Sequence, residues 1–165
     1  MNAFVVDTNV AVVANGKSPQ ADPDCVIACI DKLAVIRDGA IIVLDDAGLI
    51  LSEYMNNLSM SGQPGAGDLF MKWVWTVQAD TSRCEQVHLT ESDDHPCGFV
   101  EAPNDPELAS FHRDDLKFVA VANACKRRTE VLNAVDSDWA HHHAALTRNG
   151  ISVKFLCPQH VCPTV

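Results

Sequence analysis

The chain opens with Ala3-Phe4-Val5-Val6-Asp7-Thr8-Asn9, an apolar run that ends at a carboxylate. This β-rich run predicts a strand over residues 3–6. An acid directly after a strand is often a turn residue or a helix cap. The same position, beyond the carboxyl end of a strand, is also where ligand sites form in parallel α/β sheets. Asp7 is therefore the first candidate site residue.

Strand and helix patterns alternate along the rest of the chain. Apolar runs predict further strands, at residues 41–44, 131–135 and 151–156. Periodic segments predict helices, at residues 23–37, 47–59, 68–78, 113–127 and 139–148. The alternation is typical of βαβ units, so we expect a single α/β domain over residues 1–165. Its expected form is a three-layer α/β/α sandwich around a mainly parallel sheet of about five strands.

The charge of the chain is strongly negative but unevenly distributed. Twelve Lys and Arg against 22 Asp and Glu give a net charge of −10, which disfavours binding of nucleic acid or anionic membrane by the whole surface. Residues 84–112, which we call the acidic excursion, hold seven acids and no Lys or Arg. We expect this segment to be mostly loop, either solvated and variable or a lid or partner-docking arm. Local nucleic-acid binding by the remaining framework stays open.

Targeting and cysteine usage favour the cytoplasm. The first apolar stretch has no preceding basic residue and is interrupted at Asp7, unlike a signal peptide. No apolar run approaches the roughly 20 residues that span a bilayer, so no membrane association is expected. The seven cysteines, an odd number, predict reduced thiols rather than a disulfide framework.

Further acids are expected at the same edge of the sheet as Asp7. The predicted strand 131–135 runs directly into Asp136, and Asp138 follows two residues later. Glu53 falls at the edge of the buried arc of the predicted helix 47–59. Carboxylates gathered without a cation repel one another, and oxygen-rich clusters are what Mg²⁺ and Mn²⁺ select. The pair Asp114-Asp115, at the start of the predicted helix 113–127, supplies a fourth candidate; periodicity alone does not choose between its two members.

Four short motifs, in order, resemble those of the PIN-domain nucleases. They are Val5-Val6-Asp7-Thr8-Asn9-Val10, Ser52-Glu53-Tyr54, Asp115-Leu116-Lys117-Phe118-Val119-Ala120 and Asp136-Ser137-Asp138-Trp139. The closing Gly150-Ile151-Ser152-Val153 and Phe155-Leu156-Cys157-Pro158 are also similar to the last strand of that family. The resemblance covers nearly the whole chain except the acidic excursion.

The resemblance implies a metal-dependent endoribonuclease that holds one or two Mg²⁺ or Mn²⁺ ions. It assigns five acids as catalytic, direct or water-mediated ligands: Asp7, Glu53, Asp115, Asp136 and Asp138. It also implies that Asn9 orients Asp7 through its amide. Asp115 is preferred to Asp114 because Phe118 then lies three residues further on, as in the family. The resemblance extends to the toxins of toxin–antitoxin pairs. The apolar stretch 69–77 is either part of the core or a surface that an antitoxin or a second copy covers.

An RNA substrate requires positive charge near the metal. Six basic side chains are candidates for guiding its backbone: Lys17, Arg113, Lys117, Lys126, Arg127 and Arg128. The alternative interpretation is that they are solvated helix faces. Trp73, Trp75 and Trp139 are candidates for stacking on bases or for the core.

Two other functions compete with the nuclease hypothesis. A phosphatase of the haloacid-dehalogenase class also begins with a strand followed by Asp. That class needs a second Asp two residues later as general acid, where this chain has Asn9. The second alternative is a catalytically silent PIN-like module that binds RNA or protein.

Overall fold

Five parallel strands form one central sheet. The computed structural model describes residues 1–161. The strands are β1 Ala3–Val6, β2 Ile41–Asp45, β3 Cys84–Val87, β4 Thr129–Asn133 and β5 Ser152–Phe155. Their order is β3-β2-β1-β4-β5, and every neighbouring pair is parallel. The predicted α/β class, with helices flanking a five-stranded parallel sheet as in a three-layer sandwich, is confirmed.

Eight helices connect and flank the strands. They are α1 Thr8–Ala14, α2 Pro23–Gly39, α3 Leu49–Asn57, α4 Ala66–Val77, α5 Leu116–Ala124, α6 Asp138–His141, α7 His143–Arg148 and α8 Pro158–Val161. Helices α1, α2 and α4 pack on one another, whereas α5 packs on β1, β2 and β4. Every residue of β1 and β2 is buried, as expected of central strands in a parallel sheet. Among the described residues, no helix has the length and apolar character needed to cross a membrane.

Several predicted boundaries are wrong. Strand β4 ends at Asn133 because the next two N–H groups, of Ala134 and Val135, donate to the side chain of Asn9 instead of extending the ladder. Helix α1 is absent from the predicted elements, although Asp7 caps it and its apolar residues are buried. The predicted helix 113–127 begins as a 3₁₀ turn, Arg113–Asp115, and the predicted helix 139–148 breaks at His142.

The acidic excursion is largely irregular in backbone, and part of it packs as a lobe against the core. It begins with β3, the strand that the sequence analysis missed, and it contains a 3₁₀ helix at Pro106–Ser110. Several of its apolar side chains, including Leu108 and Phe111, are buried, whereas Val100 is 58% exposed. Asp105 accepts hydrogen bonds from Arg148 Nε at 2.7 Å and Nη2 at 2.8 Å, which fasten the lobe to α7. These contacts hold the segment in place, although much of it has no regular secondary structure.

The prediction that the cysteines are all reduced thiols is wrong for one pair. Cys25 in α2 and Cys157 after β5 form a disulfide across 132 residues of chain. Spacing in the sequence did not reveal it, because the fold alone brings α2 beside the end of β5. Cys29, one helical turn beyond Cys25, is a buried free thiol. Cys162 lies outside the described residues.

Candidate metal centre

The candidate centre lies where the strand order of the sheet reverses. Strands β1 and β4 are direct neighbours, with Val6 opposite Leu132, and the N–H of Asp7 donates to the carbonyl of Leu132 at 3.1 Å. The expectation that the acids following these two strands share one edge is thus met by the strand pairing. Ligands of open α/β sheets bind at such a switch point, beyond the carboxyl ends of the strands.

Asp7 is buried and fixed by two hydrogen bonds. Its Oδ2 accepts from Trp139 Nε1 at 2.7 Å, and its Oδ1 accepts from the N–H of Asn9 at 3.2 Å. Burial raises the pKa of Asp7 to about 6, and the charge of Asp136 acts in the same direction. The hydrogen bonds from Trp139 and Asn9 oppose this rise in pKa, so the site favours a defined orientation of the carboxylate while penalising its charge.

Glu53 reaches the centre from α3. The neighbouring Tyr54 is fully buried and donates from its hydroxyl to the carbonyl of Val6 at 2.5 Å, which ties α3 to the end of β1. The Thr8 hydroxyl donates to one carboxylate oxygen of Glu53. Lys117 Nζ donates to the other at 2.6 Å. The ammonium group therefore balances the charge of this carboxylate.

Asp115 completes a close cluster of carboxylates. One oxygen each from Asp7, Glu53 and Asp115 lie within 4.8 Å of one another. Desolvation raises the pKa of Asp115 to about 8, with further contributions from the charges of Asp7, Asp136 and Glu53. Asp114, by contrast, is exposed and lines a neighbouring cavity. The structure thus brings Asp115, and not Asp114, into this cluster.

Asp136 is carried by a turn that two asparagines brace. Asn9 Oδ1 accepts from the N–H groups of Ala134 and Val135 at 2.9 and 3.0 Å. Asn9 Nδ2 donates to Asn133 Oδ1 at 2.9 Å, and Asn133 Nδ2 donates to the carbonyl of Asp136 at 2.9 Å. The side chain of Asn9 therefore positions the turn of Asp136, and hydrogen bonding from Asn9 to Asp7 lowers the pKa of that carboxyl group.

Asp138 lies near the cluster but has structural partners. Its Oδ2 accepts from the N–H of His112 at 2.6 Å, and its Oδ1 lies 3.7 Å from Nδ1 of His142. It shares with Asp115 and Asp136 a pocket of about 360 Å³. The carboxylate of Asp138 thus fastens the end of the acidic excursion beside the centre and does not join the three-oxygen cluster.

Three residues of the centre were missed as site residues. Thr8 contacts Glu53, Trp139 contacts Asp7, and Asn133 supports the Asp136 turn. Trp139 is fully buried, so of the two roles left open for it, base stacking or the core, it belongs to the core. Trp73 is half-buried, and Trp75 is 47% exposed. A single asparagine inside the otherwise apolar run 131–135 is the signal in the sequence that could have pointed to Asn133.

Most of the basic candidates lie away from the acids. Lys126, Arg127 and Arg128 precede β4 and therefore occupy the amino end of the parallel sheet, opposite the centre. Arg127 Nε pairs there with Glu85 Oε2 at 2.5 Å. Lys17 is exposed beyond the end of α1, a helix about 10 Å long. Of the six candidates, Lys117 contacts the centre, and Arg113 lines the cavity beside it.

Comparisons with family models, with curated proteins and with solved structures found no significant match.

The donor set suits a hard divalent cation. The cluster offers carboxylate oxygens only, which is the preference of Mg²⁺ and Mn²⁺ rather than of zinc or copper. Burial and mutual repulsion raise the pKa values of Asp7 and Asp115, so a divalent ion would replace protons that these carboxyl groups otherwise retain. Asp7, Glu53 and Asp115 would hold the ion, and Asp136 stands beside them.

Proposed function

We propose that this chain is a metal-dependent endoribonuclease that hydrolyses RNA phosphodiester bonds at the acidic centre. The observation that carries the proposal is the convergence of Asp7, Glu53 and Asp115, from three separate segments, on one point at the switch of the sheet. Like charges do not gather in a partly buried site without energetic cost, and a divalent ion would remove that cost. The ordered resemblance of the motifs to PIN-domain nucleases supports the same conclusion.

Each residue of the centre has a separate task in this reaction. A bound Mg²⁺ or Mn²⁺ ion would supply an activated water and charge stabilisation at the phosphate. Asp7, held by Trp139, presents an oxygen in a fixed direction. Lys117 keeps Glu53 in place and reduces the repulsion among the carboxylates. Asp136 can orient a water or bind a second ion from the adjacent pocket.

The proposal extends to a toxin-like role in the cytoplasm. Helix α4 buries Phe70, Met71 and Val74 but leaves Leu69 41% and Trp75 47% exposed. An antitoxin, or a second copy of this chain, would cover those two side chains.

Cleavage of defined RNA in Mn²⁺ tests the activity. We expect the wild-type protein to cut single-stranded RNA, EDTA to abolish cutting, and Asp115→Asn to remove it. Asp31→Asn, which makes the same chemical change on the exposed face of α2, is the matched control and should cut normally. Folded wild-type protein that is inert on varied RNA and on single-stranded DNA would contradict the proposal and favour a silent binding module.

A further inference from the structure

A cavity of about 650 Å³ opens beside the acidic centre. Its lining includes Lys117, whose ammonium group contacts Glu53, and Asp114, the neighbour of Asp115. The opposite wall is residues 91–99 of the acidic excursion. The volume lies within the range of roughly 300–1,000 Å³ that is usual for small-ligand pockets. An RNA strand whose phosphate lies at the acidic centre would therefore have a neighbouring nucleotide within reach of this cavity.

The wall of the cavity is held in shape by the lobe behind it. Glu101 accepts hydrogen bonds from the N–H and the hydroxyl of Thr90, both at 2.8 Å. Glu91 and Phe99 form an antiparallel bridge, and Val100 N–H donates to the carbonyl of Thr90 at 2.9 Å. The segment is therefore a short hairpin with a fixed backbone, which can present side chains in defined positions.

The acids of the excursion fall into two groups. Four are engaged in hydrogen bonds or ion pairs: Glu85, Glu101, Asp105 and Glu107. The other three have no hydrogen-bond or ion-pair partner for their carboxylates within residues 1–161: Glu91, Asp93 and Asp94. These three are the ones that line the cavity. The cavity is thus lined by three neighbouring carboxylates whose acceptor oxygens are not used by other described residues.

The cavity also has flat and apolar surface. Phe99 is half-buried at its edge, and Leu49 and Leu116 contribute aliphatic surface. The guanidinium of Arg113 lines the cavity and has no acidic partner among the described residues. Aromatic rings and guanidinium planes are the usual stacking surfaces for unpaired bases.

We propose that this cavity binds one unpaired guanine base of the RNA substrate and thereby selects the cleavage position. The inference rests on the proposed nuclease function. Ionised carboxylates only accept hydrogen bonds, so they favour a base edge that presents donors side by side. Guanine does so with N1–H and its exocyclic amine, whereas adenine, cytosine and uracil place an acceptor next to their donor. Arg113 can stack on the base or donate to its O6 and N7.

Binding of the four ribonucleoside 5′-monophosphates, measured by NMR titration in EDTA, tests the cavity without catalysis. We expect GMP to bind about tenfold more tightly than AMP, CMP or UMP, in line with one bidentate contact. The triple variant Glu91→Gln, Asp93→Asn, Asp94→Asn should lose this preference. The matched triple variant Asp24→Asn, Asp31→Asn, Asp38→Asn removes the same charge from the exposed face of α2 and should keep it.

A cleavage map of RNA containing all four bases separates this inference from the proposed function. Cuts that cluster at guanines in the wild type, and spread to all bases in the cavity variant, support both. Cutting without base preference, or equal binding of all four nucleotides, overturns the guanine site alone. Selective GMP binding by a protein that cuts nothing supports the cavity and overturns the nuclease.

Discussion

The two ends of the parallel sheet differ in how their charged side chains are arranged. At the amino end, Arg127 pairs with Glu85, and the Lys32 ammonium lies 4.3 Å from the centre of the Phe4 ring. At the carboxyl end, Asp7 and Asp115 lie together with pKa values raised by burial and by neighbouring carboxylates. The amino end thus contains a paired acid and base, whereas the carboxyl end holds carboxylates close to one another.

The difference in charge between the two ends supports the proposal that the ligand binds at the carboxyl end of the sheet. Surface ion pairs contribute little to stability, so the amino end is explained by solvation and packing alone. The carboxyl end keeps an arrangement that disfavours folding in the absence of a cation, because its buried carboxylates repel one another. Such cost is typical of functional sites, where perturbed pKa values concentrate.

The largest expected effect separates the two ends by activity. Asp136→Asn should lower metal-dependent RNA cleavage more than about 100-fold, since even residues that only support metal ligands cost 10–100-fold when changed. The triple change of Lys126, Arg127 and Arg128 to Ala at the amino end should leave the rate within about threefold, because these residues do not reach the carboxyl edge. Initial rates on one RNA substrate measure both variants; equal losses at the two ends would remove the distinction.

The next effect concerns stability in the presence of metal. An ion that binds only the folded state raises the free energy of unfolding by about 2.7 kcal/mol at a hundredfold excess over its dissociation constant. We therefore expect Mn²⁺ to raise the melting temperature of the wild type and not that of Asp7→Asn. Calorimetric scans with Mn²⁺ and with EDTA provide the comparison. Equal shifts in both proteins would place the binding outside the centre.

A pH dependence follows from the raised pKa values. In a group whose folded pKa lies above its unfolded value, the stabilising contribution is complete below the unfolded pKa and is lost as the pH rises through the folded one. The pKa of Asp115 is about 8 in the folded protein and about 4 when unfolded, so metal-free protein should lose stability between these values. Urea unfolding in EDTA from pH 5 to pH 8 measures the slope.

The variant Asp115→Asn isolates that contribution, because other groups, such as His88, whose pKa is raised by Asp46, also contribute to the pH dependence of stability. Its slope should be shallower than that of the wild type, and at pH 8 it should be the more stable protein without metal. If the free energy of unfolding of the two proteins changed equally with pH, ionisation of Asp115 would not destabilise the folded protein.

The smallest expected effect lies at the amino end. Arg127 is half exposed, so breaking its pair with Glu85 by Arg127→Ala should change the free energy of unfolding by no more than about 1 kcal/mol. The change should weaken further in high salt. A larger loss, measured by urea unfolding, would mean that the amino end depends on its charges as well.

The sequence predicted four of the five strands of the sheet but not the edge strand β3. Apolar runs identify β1 and β2, because strands buried on both faces must be continuously apolar. Strand β5 lies at an edge of the sheet, and its apolar residues alternate with polar ones. Strand β3 escaped notice because Cys84-Glu85-Gln86-Val87 forms an edge of the sheet, where polar residues are tolerated. Its place in the sheet depends on pairing with a distant segment, which local patterns do not encode.

The candidate site also has a part that the sequence predicts and a part that only the fold reveals. Asp7 is visible from the sequence, since it directly follows an apolar run, and the strand pairing then brings the turn of Asp136 beside it. The contacts of Asp7 with Trp139 and of Glu53 with Lys117 join residues 132 and 64 positions apart. Such contacts, like the Cys25–Cys157 disulfide, follow from the folded arrangement of elements and have no local signal.

The central claim is that the carboxyl end of the sheet binds a divalent cation through Asp7, Glu53 and Asp115. Titration with Mn²⁺ at pH 8, with free ion followed by its electron paramagnetic resonance signal, tests it directly. We expect one or two ions to bind to the wild type and to Asp31→Asn, and the tightest ion to be lost in Asp115→Asn. Wild-type protein that leaves millimolar Mn²⁺ free, or an Asp115→Asn variant that binds as well as the wild type, would contradict it.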